Sequence, residues 1–136
     1  MVRTLFLWGA LAATLFLSLA VADAAAPAKK SYFQAWWESR ATGKPLLVFF
    51  HAKWCATCPA MEANLSKTDC SGCCCCSLDY DEQKELCEQM SRTHKLPELQ
   101  VYWLPKDKEE WQVKWLNEGT PKQLQAWLAQ PLAETQ

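Results

Sequence analysis

Lys44-Pro-Leu-Leu-Val-Phe-Phe-His-Ala-Lys-Trp-Cys-Ala-Thr-Cys-Pro-Ala-Met-Glu62 reads as a buried strand running directly into a helix, with two cysteines at the junction. Leu46 to Phe50 is a short unbroken apolar run containing Val and two Phe, the composition of a strand covered on both faces. Pro45 limits how far that strand extends backwards. Beyond Cys55 and Cys58, Met61 and Leu65 continue at helical spacing. The two cysteines are three residues apart, so one helical turn sets them on a common face.

Thiol–disulfide exchange is the chemistry that uses this arrangement. The thiolate is the nucleophile, and a free cysteine ionises only near pH ~8.5. Unpaired N–H groups and the positive dipole end at a helix N-terminus favour the thiolate. Cys55, placed in the first turn, is expected to receive most of that help and to attack the partner's sulfur. Cys58, more shielded, then resolves the mixed disulfide. Lys53 either adds positive charge or is a solvated surface lysine.

A C-x-x-C alone also serves zinc sites. Here a tryptophan precedes it, a buried strand leads in and a helix follows. With those neighbours, Phe49-Phe-His-Ala-Lys-Trp-Cys-Ala-Thr-Cys58 resembles the thioredoxin superfamily. Lys44-Pro45 before the strand and Met61-Glu62 after the motif look most like the C-terminal domain of DsbD-type periplasmic reductant-transfer proteins and their small stand-alone relatives. The resemblance covers about residues 31–130.

The remaining chain is consistent with one domain. The sequence has 136 residues, half of them hydrophobic, and a formal charge of −1, which argues against nucleic acid as a partner. Residues 1–22 read as a signal peptide: Arg3, an apolar run from Leu5 to Ala22, and a small-x-small site at Ala20-Val-Ala22. The same run, left uncleaved, could anchor the chain in a membrane. Either way the domain is expected outside the cytoplasm, in the periplasm or another oxidising compartment. Residues 23–30 are a linker.

Ser31 can cap a helix through about Thr42, stopped by Gly43, with Phe33, Trp36 and Trp37 expected to pack into the core in preference to forming a substrate-binding aromatic patch. After the active helix, Ser77-Leu-Asp-Tyr-Asp81 suits a strand end, and Asp81 can cap a helix over roughly 82–93 whose inner face holds Leu86, Cys87 and Met90. Cys87 there is a small buried residue. A strand over Leu99 to Leu104 and an alternating strand over Trp111 to Trp115 form a hairpin. Thr120-Pro121 opens a last helix with Leu124, Trp127 and Leu128 inward. Pro131 is expected to end it, leaving 131–136 as a loose tail. The expected fold is α/β and thioredoxin-like: a four-stranded mixed sheet flanked by helices, its first two strands parallel, with a cysteine-rich insertion.

The resemblance implies further roles. In the family a cis proline sits opposite the active cysteines and precedes a strand; Pro97 matches it, and the backbone of Leu96 would dock the partner polypeptide. Trp54 would shape the surface around the thiols. Many thioredoxins carry a buried Asp six residues before the first cysteine, where this chain has Phe49, so proton transfer from Cys58 would fall to water or another group. His51 is a strand-end histidine or a modulator of the thiolate.

Eight cysteines are many for this length, and Cys70-Ser-Gly-Cys-Cys-Cys-Cys76 holds five of them. Three readings stand: structural disulfides, with Cys70 joined to Cys73 or a later cysteine; an auxiliary relay to Cys55–Cys58; or a zinc or copper site built from Cys70, Cys73, Cys74, Cys75 and Cys76. On a strand, Cys74, Cys76, Leu78 and Tyr80 face one side and Cys73, Cys75, Ser77 and Asp79 the other. The first expectation is therefore an exported thiol–disulfide oxidoreductase, leaning to reductase. It needs no bound cofactor and exchanges with protein disulfides or thiols and a membrane or periplasmic redox partner. An exported metal-binding module is the alternative, and a redox-inert adaptor a third.

Overall fold

The computed structural model describes residues 30–136; the signal-peptide reading and all but the last residue of the linker lie outside them. Eight elements follow in the expected order: α1 (Tyr32–Thr42), β1 (Leu46–His51), α2 (Cys58–Ser66), β2 (Cys74–Asp79), α3 (Lys84–Met90), β3 (Glu98–Trp103), β4 (Gln112–Leu116) and α4 (Pro121–Thr135). The sheet order is β2-β1-β3-β4. β1 runs parallel to β2, with Leu46 opposite Cys74 and His51 opposite Asp79. β3 is antiparallel to both β1 and β4.

Alternation along the central strands divides the core in two. Leu47 and Phe49 of β1 join Leu99 and Val101 of β3 on one face, covered by Met61 of α2 and by Leu124 and Leu128 of α4. Leu46, Val48 and Phe50 join Cys74, Cys76 and Leu78 of β2 on the other, covered by Ala35 of α1 and Cys87 of α3. Both cysteines of the C-x-x-C belong to the first of these.

α1 has the expected ends. Ser31 and Gln34 form a capping box, and Gly43 takes a left-handed φ of 73° at the C-cap. Its faces are reversed, however. Ala35 and Ser39 are the buried residues, whereas Phe33 and Trp37 are 64% and 65% exposed and Trp36 is half-buried beneath the Arg40 guanidinium. The helix lies close on β1 and β2, and small residues permit that approach: Ser39 Oγ donates to the Lys44 carbonyl at 2.6 Å.

α3 is shorter than expected, and Gln83, not Asp81, stands at its N-cap. In β4, Trp111 lies outside the strand and Trp115 is exposed beneath Arg92. α4 continues through Pro131 to Thr135 instead of ending there. Proline forfeits one helical N–H bond, and other contacts hold the last turns: Thr135 Oγ1 donates to the Pro131 carbonyl at 2.9 Å, Lys106 N–H to the Glu134 carbonyl at 3.1 Å, and the Trp103 indole to the Glu134 carboxylate at 2.6 Å. The Pro131 ring itself is buried. No helix among the described residues is long and apolar enough to cross a membrane.

Candidate active site

Cys55 and Cys58 form a disulfide with Cα atoms 5.4 Å apart, at the end of β1 where the chain turns into α2. Cys58, not Cys55, opens the helix, with Pro59 behind it. Cys55 lies in the turn ahead of it, its N–H donating to the Ala52 carbonyl and its carbonyl accepting from Cys58 N–H. Two of the N–H groups expected to assist the thiolate are thereby unavailable, one already bonded and one absent in proline. A hydroxyl stands in their neighbourhood: Thr57 Oγ1 is 3.8 Å from Cys55 Sγ. In the disulfide both cysteines are nearly covered.

The turn carrying Cys55 is held from β2's end. Asp81 accepts the Lys53 backbone N–H at 3.1 Å and the Trp54 indole N–H at 3.0 Å. Sequence reading gave Asp81 to the following helix; its carboxylate is instead spent on the active-site turn. Trp54 is thus fixed edge-on to Tyr80 with its ring 65% exposed. His51 ends β1, stacks on Phe49 and lines a depression with Lys30, Ser77 and Asp79, apart from the thiol groove.

Across from α2 stands the loop before β3. The Leu96–Pro97 peptide bond is cis. Thr57, Ala60 and Met61 form one wall of a groove of about 400 Å³, and Lys95, Leu96 and Pro97 the other. Leu96 also closes a second depression with Trp54 and Tyr80, and it packs against the cluster containing both active cysteines. Thr57, Trp54, Leu96 and Pro97 are therefore neighbours. Leu96 has no backbone hydrogen-bond partner among the described residues.

Asn117, which sequence reading missed, fastens this loop. Its amide donates to the carbonyls of Pro97 and Lys95 at 2.8 and 3.1 Å and to Thr93 Oγ1 at 2.9 Å. An asparagine just past a predicted strand is an ordinary turn residue, so nothing local marked it. Directly after Pro97, Glu98 is fully buried and accepts from Ser91 Oγ at 2.5 Å, the Arg92 N–H at 2.8 Å and Gln100 Nε2 at 3.0 Å. It lies opposite Phe50, on the sheet face away from the thiols. Phe49 and Leu99 fill the thiol side, and Glu98 is the one buried carboxyl group among the described residues.

The remaining cysteines scatter as strand alternation requires. Cys74 and Cys76 enter the second core, Cys73 the first, and Cys75 faces outward. All six cysteines outside the active pair are free, so the structure contains none of the expected structural disulfides. No three His, Cys, Asp or Glu side chains among the described residues are grouped to hold a metal ion. A regular strand sends neighbouring side chains to opposite faces, which separates the cysteine ligands the metal reading requires. Burial pushes the thiols of Cys73 and Cys76 up to about 12 and that of Cys87 to about 11, so these three stay protonated near neutral pH.

Comparison with known proteins agrees with this geometry. Residues 27–72 match a family model described as thioredoxin-like. Among solved structures, chloroplastic thioredoxin z is similar over 77% of this chain and 93% of its own, with a TM-score of 0.60 and 23% identity. A thioredoxin from Thermus thermophilus matches over 73% and 82% with a TM-score of 0.58 and 21% identity. Trxlp from Edwardsiella tarda EIB202 matches over 74% and 95% with a TM-score of 0.54 and 22% identity. No curated protein matches the chain significantly. The fold is thioredoxin-like, and its paired Cys55 and Cys58 form an arrangement suited to thiol–disulfide redox chemistry.

Proposed function

We propose that this chain, a thioredoxin-superfamily protein by fold, is an exported thiol–disulfide oxidoreductase that works as a reductase of partner proteins. The observation that carries the reading is the Cys55–Cys58 disulfide at the strand–helix junction, with Leu96 and Pro97 across a groove from Thr57, the residue just before Cys58. In the reduced enzyme the Cys55 thiolate attacks one sulfur of a partner disulfide. That S–S bond breaks, one partner thiolate leaves, and a mixed disulfide joins the two proteins. Cys58, deprotonated, then attacks Cys55 Sγ and releases the second partner thiolate. Two electrons have passed to the partner, and the Cys55–Cys58 disulfide must be reduced again by a membrane or periplasmic dithiol.

The free backbone of Leu96 offers an edge to an extended partner segment, in the manner of an added strand. Trp54, held by Asp81, supplies a broad exposed ring beside it. The dithiol carries the electrons, so no bound cofactor is required. The apolar run from Leu5 to Ala22 supports export, with a membrane role only if that run is retained. Because this chain has Phe49 where many thioredoxins carry an acid, the Cys58 proton passes to water or another group.

Reduction of insulin's interchain disulfides, with dithiothreitol as the electron source, tests the reading. Cys55→Ser should lose essentially all turnover above the uncatalysed rate. Cys58→Ser should accumulate a mixed disulfide with its substrate that reductant dissolves. Retained turnover in Cys55→Ser would remove the assignment.

A further inference from the structure

We propose that Cys70 and Cys75 form a second dithiol, separate from the active pair, that is oxidised to a disulfide by small-molecule disulfides such as oxidised glutathione. Cys70 lies midway along the loop between α2 and β2, and its carbonyl accepts the Cys73 N–H at 3.0 Å, closing a tight turn. That turn folds Cys75, the exposed member of β2, back over Cys70: Cys75 Sγ lies 3.8 Å from the Cys70 carbonyl. Gly72 lets the turn sit against α4, because a Cβ there would stand 2.6 Å from Leu132 Cδ2. The Cys75 sulfur is thus brought onto the Cys70 backbone, with the Cys73 carbonyl 3.9 Å away on its other side, by a turn fastened to the core, and both Cys70 and Cys75 reach solvent in part.

The chemistry of the two thiols is unequal in the way a dithiol pair needs. A hydrogen bond from the Cys75 thiol holds the pKa of the Cys70 thiol below its ordinary value, and Cys70 is the one free cysteine among the described residues shifted in that direction. Cys75 is pushed up, first by that same hydrogen bond to Cys70 and further by Cys70's charge. Cys70 is therefore the nucleophile. Its thiolate attacks one sulfur of oxidised glutathione, and one glutathione thiolate leaves. Once Cys70 is capped, its charge and its hydrogen bond no longer hold the proton on Cys75. Cys75 then loses its proton to water, attacks Cys70 Sγ and expels the second glutathione. Two thiols are oxidised, and one glutathione disulfide is reduced to two thiols. Cys73 is the rival partner by spacing, but it is buried and its thiol is pushed up to about 12 by burial first.

This pair cannot exchange directly with Cys55–Cys58 within one chain. Cys74 lies opposite Leu46 at the start of β1, whereas the active cysteines follow its end. A strand of that length spans roughly 17 Å, so a sulfur-to-sulfur attack is out of reach. The intramolecular relay expected for this cluster is thereby excluded, and the second pair answers to its surroundings independently.

The full chain, reduced and freed of reductant under nitrogen, is exposed to oxidised glutathione at pH 7 and quenched with acid. Free thiols are blocked with iodoacetamide in denaturant; disulfides are then reduced and labelled with N-ethylmaleimide. Maleimide is expected on Cys55, Cys58, Cys70 and Cys75, and iodoacetamide on the other four. In the native reduced chain, Cys70 should alkylate about tenfold or more faster than Cys73. Cys75→Ser should leave Cys70 as a stable glutathione adduct, and Cys55→Ser should leave the Cys70–Cys75 disulfide unaffected. Maleimide on Cys73 in place of Cys75 would overturn the pairing. Loss of the second disulfide in Cys55→Ser would overturn its independence. Iodoacetamide on both Cys70 and Cys75, while Cys55 and Cys58 carry maleimide, would overturn the site.

Discussion

A single carboxylate, Asp81, illustrates how residue-scale chemistry settles the active turn. It is exposed, yet it accepts both the Lys53 amide and the Trp54 indole. Without it, the turn carrying Cys55 keeps only its backbone bonds, and the Trp54 ring is free to rotate. Asp81→Ala should cost about 1 kcal/mol of stability, because the lost bonds are solvent-accessible. Turnover with insulin should fall by more than reduction of a small aromatic disulfide, since on the proposed function Trp54 contacts only a large substrate. Urea melts and the two assays side by side check this; equal losses in both assays would mean that Trp54 makes no substrate contact.

At the scale of elements, α1 and β3 show apolar and polar residues exchanging their customary places. In α1 the residues against the sheet are Ala35 and Ser39, and the large aromatic rings point outward. Ala35→Leu should destabilise by about 2 kcal/mol by overpacking. Trp37→Lys should change stability by no more than about 0.5 kcal/mol. Thermal melts of the two variants distinguish this orientation from the reverse one. In β3 the fully buried Glu98 satisfies three donors in the segment joining α3 to the cis-proline loop and in the strand itself. Glu98→Leu fills the volume but leaves the Ser91 hydroxyl and the Arg92 N–H without acceptors. Loss of about 3 kcal/mol is expected in urea titration. A much smaller loss would mean that water replaces the carboxyl group.

Across the whole molecule, the C-terminal helix is tied to the sheet by a pH-sensitive contact. The Trp103 indole N–H, and then the Gln130 amide, hold the Glu134 carboxyl below the usual carboxylate range. A carboxylate whose folded pKa is depressed stabilises the fold fully above its unfolded value of about 4.3, and that contribution fades as pH falls through the folded value. Trp103→Phe removes the leading donor. Its stability deficit relative to the parent chain should therefore be larger at pH 7 than at pH 3, beyond any constant packing loss. Urea midpoints between those pH values measure it; a deficit independent of pH would mean that the ionised Glu134 contributes nothing.

Local pattern was sufficient for the element order, the parallel β1–β2 pair and the place of Cys55 and Cys58, because apolar runs, helix caps and the C-x-x-C lie within a few residues of the features they specify. The capping boxes at Ser31 and Thr120 are of this kind. Inner and outer faces of β2 were likewise legible, since its side chains alternate with a fixed period. What tertiary structure alone decided were the matters of approach. Sheet proximity selected Ala35 over Trp37, contacts with Trp103 and Lys106 carried α4 past Pro131, and the fold joined Asp81 to Trp54 and Asn117 to Pro97. Each of these depends on groups separated by about twenty residues or more, or on the distance between packed surfaces, and neither is written in the neighbours of a residue.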